Sequence, residues 1–360
     1  MKITKQTLSG VSLVTLSHGT VAEHIINAAV TGNRAEPTFS AFPQAGESVL
    51  SQFVFGGTRY HDEVMASMPP LIWPLTWVHG DGCSGENLSG WQAYAISGPV
   101  VTPIWLGGKV VGMTYQDEDA AYCWLGGLLP ADTKASRSTQ TQSLFERMEE
   151  ALSQAKMTFC DTVRTWLFLE NLLDWYDDFN AVRTAFFNSR GVFDRRVPAS
   201  TGIGAANPAG AALAASALAV KPLNDGVTIT PQPSPLQCPA ISYRSSFSRA
   251  MEIAYPDRRH LYISGTASIG PDGGSLHLGD VDKQIDLTMR VVEELLKSRK
   301  MEWSHVVRAI AYFKDMADSP RLAGYCRQHN FPAFPTVFSH AVVCRDDLLF
   351  EIELDTVMPV

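Results

Sequence analysis

"MEEALSQAKMTFCDTVRTWLF", residues 148–168, and "VEELLKSRKMEWSHVVRAIAYF", residues 292–313, decide how the chain is read. Laid over each other, they put Lys156-Met157 on Lys300-Met301 and Val163-Arg164 on Val307-Arg308, a constant offset of 144 residues. The same offset carries Glu149-Glu150 onto Glu293-Glu294 and Gln140 onto Gln284. Each copy runs from an apolar helical period, through a short polar break, into an alternating strand. Upstream, "YCWLGGLLP" (122–130) answers "LYISGTASIGPDGG" (261–274); downstream, "RVPASTGIG" (196–204) answers "NFPAFPTVFS" (330–339). The pattern is a duplicated α+β unit: strand, loop, helix, strand, helix, strand. Two copies predict two similar domains side by side rather than a solenoid. A stretch rich in Pro and turn residues, Leu218 to Ala240, reads as the connection between them. The expected boundaries are residues 1–222 for the first domain, 223–240 for the linker and 241–360 for the second domain. The first hundred residues read as short strands and long loops elaborating the first domain.

The chain has 360 residues, 45% of them apolar, and a formal net charge of −8, enough for two cores. It carries no basic stripe, which disfavours a nucleic-acid partner. No apolar run approaches the roughly 18 residues that would cross a bilayer, and the N-terminus lacks a secretory pattern. A cytoplasmic protein without membrane partners is expected. The six cysteines are scattered, with no CxxC pair and no accompanying histidine cluster. Neither structural zinc nor a disulfide framework is expected, and no cofactor is implied.

Several stretches can carry chemistry. "GDGCSG" (80–85) matches a dinucleotide pattern but precedes no amphipathic helix, so a tight turn is the better reading. The small residues of "SGTAS" (264–268) close a strand and let a ligand approach the backbone. Arg249, Arg308 and Lys314 are candidate carboxylate receptors. Arg164 stands at the place of Arg308 in the first copy, which favours a structural role there. In the last strand, "FEIELD" (350–355) puts Phe350, Ile352 and Leu354 on one face and Glu351, Glu353 and Asp355 on the other. The acids either face water or include one that works in a cleft.

With "YISGTAS", "GDVDKQ", "FPAFPTV" and "CRDDLLFEIEL" in view, the second copy resembles the YjgF/Rid family, also called endoribonuclease L-PSP, from Ser242 to the end. A fainter copy covers roughly residues 121–222. The resemblance implies two tandem YjgF/Rid-like (chorismate-mutase-like) α+β domains, each a mixed sheet backed by two helices, and a trimer-like homo-oligomer with clefts between subunits. Rid imine deaminases hold their substrate's carboxylate with an Arg before the last two strands. Here that place reads Pro335-Thr336, and Pro198-Ala199-Ser200-Thr201 in the first copy.

The tandem repeat, "PASTGIG", "FSRA" and "VCRDDLLFEIE" are similar to the chorismatase branch of this superfamily. That resemblance implies a small anionic substrate, chorismate, and loss of its pyruvate. It implies Glu351 as the catalytic acid, Cys344 seven positions earlier as a pocket residue, and Ala267 as a position that affects the product. The implied substrate-binding set is Arg249, Tyr243, Gly265, Thr266, Ala267, Gln284, Arg308 and Lys314. A Glu among apolar neighbours would stay protonated near neutrality and could protonate an enol ether. The product is then a hydroxybenzoate, 3-hydroxybenzoate favoured, or a dihydroxycyclohexadiene carboxylate. The alternatives are a Rid-type binder of small carboxylates and an imine deaminase.

Overall fold

The computed structural model describes residues 1–8, 10–29, 46–68, 70–80 and 88–360. Its strands form three six-stranded sheets. The first holds β1 (Lys2–Leu8), β2 (Val11–His18), β3 (Val21–Ala29), β4 (Ser48–Gly56), β5 (Leu75–Val78) and β6 (Leu88–Ser97). The second holds β7 (Thr102–Leu106), β8 (Lys109–Gln116), β9 (Ala120–Leu128), β10 (Thr162–Leu169), β11 (Ala199–Gly204) and β12 (Leu213–Pro222). The third holds β13 (Thr228–Gln232), β14 (Ala250–Ala254), β15 (Arg258–Ala267), β16 (Val306–Phe313), β17 (Thr336–His340) and β18 (Phe350–Pro359). The first hundred residues thus build a sheet of their own rather than elaborating the next one, and β13 falls within the stretch read as a linker. Past Gly80, the "GDGCSG" turn lies outside the described residues.

All three sheets follow one plan. Their strand orders are β1-β2-β3-β6-β4-β5, β7-β8-β9-β12-β10-β11 and β13-β14-β15-β18-β16-β17. In each, the fourth and fifth strands run parallel and every other pair is antiparallel. Each fourth strand is bulged near its start, skipping Leu50, Val163 or Val307 in the pairing. The bulge fixes the equivalence: Ser51, Arg164 and Arg308 occupy one place, and opposite them stand Tyr94, Leu218 and Asp355. A one-residue slip would turn every side chain to the wrong face, so a bulge kept in register keeps the inner face inside.

Helices cover the second and third sheets. Besides the short α1 (His61–Ser67) of the first unit, the helices are α2 (Arg137–Gln154), α3 (Tyr176–Ser189), α4 (Val192–Arg195), α5 (Val281–Ser298) and α6 (Ser319–Gln328). The sequence repeat has a local physical cause. The long helices α2 and α5 begin on side-chain caps, Ser136 and Asp280, and end with Lys156 and Lys300 at φ 57° and 59°. Met157 and Met301 then donate back to Leu152 and Leu296, closing the helix ends and turning the methionines inward. Gln140 and Gln284 are buried and brace backbone: Gln284 donates to His277 and Asp347 and accepts from Leu349, while Gln140 donates to Thr133 and Ala135 and accepts from Ala212.

The sheets close into a ring. The fifth strand of each packs against the third strand of another: β11 on β15, β17 on β3 and β5 on β9. Their inner faces share one apolar core, which includes Val14, Phe53, Trp124, Trp166, Met251 and Ile310. Separate cores lie under α2 and α3 and under α5 and α6. Among the described residues, no helix is long and apolar enough to cross a membrane.

Candidate active site

The acids of β18 do not face water. Phe350, Ile352 and Leu354 enter the core under α5 and α6, and Glu351, Glu353 and Asp355 point into the ring; all six are buried. The two glutamates have opposite surroundings. Glu353 is fully enclosed and takes Arg308 Nη2 at 2.6 Å, Arg164 Nη2 at 2.7 Å and Trp166 Nε1 at 2.8 Å. Burial alone would raise its proton affinity, but the two guanidiniums outweigh this and hold it below the usual carboxylate range. Asp355 accepts from the Tyr94 hydroxyl and lies 3.5 Å from Arg308. Burial pushes its carboxyl upward.

Glu351 makes no ion pair among the described residues. Its strand lies between Ala267 of β15 and Tyr312 of β16. Its carboxyl rests over the bare backbone of Gly265: a methyl group there would meet Glu351 Oε1. Gly265 N–H in turn donates to Thr201 Oγ1 of β11 at 3.0 Å, tying the floor of the site to the second sheet. Burial, reinforced by the charge of Glu353 and only partly opposed by Arg164 and Arg249, pushes Glu351 up to about 8.

Glu351 lines a cavity of about 220 Å³ at the seam between the second and third sheets. Helix α3 supplies Tyr176, Asp177, Asn180 and Arg183, and β11 supplies Ser200 and Gly202. The segment leading into β14 gives Tyr243, Ser245, Phe247 and Arg249; Gly265, Ala267, Cys344 and Arg345 complete the third-sheet side. Three guanidiniums therefore face one buried carboxyl, Glu351, with the exposed Asp177 also on the lining. Arg183, 2% exposed, donates to Asn180 and, at 3.0 Å, to Ser245 Oγ. Arg249, 4% exposed, gives two hydrogen bonds to the Cys238 carbonyl, at 3.0 and 2.8 Å. Arg345 donates to Gly273 O at 2.8 Å. Among the described residues none of the three pairs with a carboxylate, although buried cations such as Arg183 and Arg249 ordinarily have one. The arrangement suits a ligand carrying more than one negative charge.

Of the residues read from the sequence, Glu351, Cys344, Arg249, Tyr243, Gly265 and Ala267 come together at this cavity. The Cys344 thiol is pushed up to about 12, first by burial and then by Glu351, so it is a neutral wall group. Four expected residues do not line it. Arg308 is spent on Glu353, Asp355 and Gln92. Gln284 braces α5, as described above. Lys314 reaches outward to Asp346. Thr266 is buried beside the site, its hydroxyl donating to Ser264 O at 2.8 Å. Arg183 and Arg345 were absent from the expected binding set. The signal for Arg345 was its place beside Cys344; for Arg183, only the helix it sits on.

The other two seams are not armed in this way. The ladder places Ala214 of β12 and Gly90 of β6 where Glu351 stands in β18. At Gly90 a Cβ would come within 2.5 Å of Ala28 O and 2.9 Å of Val337, so no longer side chain fits without rearrangement.

Comparison with known proteins agrees with this architecture. Residues 239–358 match the model of the family described as Endoribonuclease L-PSP. A 3-hydroxybenzoate synthase from Streptomyces hygroscopicus is 28% identical over 277 residues, spanning 68% of this chain and 76% of that protein. A solved chorismatase structure superposes with a TM-score of 0.69 at 18% identity, covering 94% of this chain and 100% of that one; at this identity the likeness is one of fold.

Proposed function

We propose that the chain is a member of the chorismatase branch of the Rid (endoribonuclease L-PSP) superfamily and that it releases pyruvate from chorismate, with 3-hydroxybenzoate as the other product. The observation that carries this reading is a carboxyl held neutral within a cavity whose three guanidiniums lack carboxylate partners.

Chorismate carries two carboxylates and an enolpyruvyl ether. The guanidiniums, with Arg183 and Arg249 buried and Arg345 half-buried, take the carboxylates. Glu351 gives its proton to the methylene carbon of the enol ether, leaving a cation stabilised by the ether oxygen and a carboxylate on Glu351. That new charge forms beside Arg164 and Arg249, which oppose its cost. The ring hydroxyl then displaces pyruvate from the neighbouring ring carbon, closing a three-membered cyclic ether and releasing its own proton to Glu351. The original bond from that oxygen to the ring breaks, and the proton on the carbon that keeps the oxygen passes to the oxygen, which restores aromaticity. No water is consumed overall: chorismate divides into pyruvate and a hydroxybenzoate, and Glu351 recovers a proton. Attack by water on the activated ether instead consumes one water and gives the dihydroxycyclohexadiene carboxylate. A neutral Cys344 thiol on the wall, where a more strongly hydrated group would hold water, favours the first branch.

The test is incubation of the protein with chorismate, pyruvate being followed by a coupled dehydrogenase and the ring product identified by chromatography. The reading expects stoichiometric pyruvate and 3-hydroxybenzoate. Pyruvate no faster than spontaneous decay contradicts it; the dihydrodiol as sole product contradicts the aromatising branch.

A further inference from the structure

Two of the cavity's three cations share one aromatic ring. The Cζ atoms of Arg249 and Arg345 each lie 5.3 Å from the centroid of Tyr243. Each guanidinium is also tied to a neutral backbone carbonyl, Cys238 O for Arg249 and Gly273 O for Arg345, rather than to an acid. Tyr243 itself packs close to Gly273, whose φ of 84° suits glycine and where an added Cβ would lie 3.0 Å from the tyrosine ring. Burial raises the phenol's proton affinity, so the ring stays uncharged and neutralises neither cation. Two like charges are thus spaced by a ring whose π face attracts both, and neither is cancelled.

We infer that Tyr243 is a positioning residue that holds Arg249 and Arg345 as a matched pair of receptors for the two carboxylates of one ligand, so that the cavity selects dicarboxylates over monocarboxylates. This deepens the reading of the cavity as a dianion site and rests on it. The ring does the positioning and the hydroxyl does not. Without the ring, the guanidiniums lose their common surface, and the two-point fit goes while single-point anion binding stays.

Calorimetric titration of the full chain with isophthalate, a rigid dicarboxylate, and with benzoate tests this apart from turnover. The wild-type protein should bind isophthalate at least about tenfold more tightly than benzoate, and Tyr243→Leu should erase most of that preference. Tyr243→Phe should retain it within about twofold, because the ring remains. Arg345→Met should erase it too, and serves if Tyr243→Leu does not fold. With chorismate, Tyr243→Leu should raise KM about tenfold with little change in kcat, a split that a general loss of structure does not give. No wild-type preference for isophthalate, a preference that survives Tyr243→Leu or Arg345→Met, or equal damage from Tyr243→Phe and Tyr243→Leu overturns the inference. A preference that behaves as expected, in a protein that releases no pyruvate, upholds the pair of receptors and instead overturns the proposed reaction.

Discussion

Glu351 and Glu353 stand two residues apart on the same face of the same strand, and one is kept neutral while the other is kept charged. Glu353 sits at the meeting of all three sheets, where Arg164 and Arg308 bracket it from strands that occupy the same place in their own sheets. Glu351 sits one step outward, where the seam opens into a cavity and the cations stop short of it. The difference teaches that burial alone does not determine a carboxyl's protonation. The direct guanidinium contacts do, and here they are given to the residue that holds the ring together. The charge so fixed on Glu353 then helps keep the proton on Glu351.

The sharpest way to break this contrast is to change each acid alone. Glu351→Gln should lower kcat by at least 10²–10⁴-fold, the usual worth of a general acid, while denaturant unfolding shows no loss of stability. Glu353→Gln should do the reverse in kind. It strips Arg164 of its anion and leaves Arg308 only the more distant Asp355, and should cost about 3–5 kcal/mol in the same unfolding measurement. If the two variants behaved alike in stability, the contrast would be empty. Gly265→Ala probes the geometry between them. Its methyl group collides with the Glu351 carboxyl, so kcat should fall about tenfold or more while circular dichroism is unchanged.

The smallest effect is the one on stability against pH. Glu351 binds its proton more tightly folded, near 8, than its ordinary value of 4.5. The folded state therefore holds more protons between these values, and the stabilisation from that proton is full below about 4.5 and lost as pH rises through about 8. Glu351→Gln has no such loss. Its melting temperature should exceed that of the wild type at pH 9, and the gap should shrink at pH 5.

Much of this was legible in the sequence. The 144-residue repeat marked real equivalence because its Lys-Met pair caps a helix in both copies and its Arg sits beside a shared bulge. The alternation of β18 separated the apolar face from the acids. The first sheet was not legible as a further copy, because its inner positions carry other chemistry: Ser51 where the others have arginine, and Gln92 where β18 has Glu353. The shared plan lies in pairing and bulge, which side-chain identity does not report. Arg308, Lys314 and Gln284 were assigned to a ligand because a sequence shows a polar group without showing its partner; each already has one within the chain. Arg183 stood outside the expected binding set, since a cation in a helix looks the same whether it meets solvent or a seam.

Difference infrared spectroscopy, wild type minus Glu351→Gln across a pH series, tests the central claim most directly. A protonated carboxyl band assigned to Glu351 should persist at pH 7 and give way to carboxylate absorption with a midpoint near 8. A band already gone by pH 6, with a midpoint near the ordinary 4.5, would contradict it.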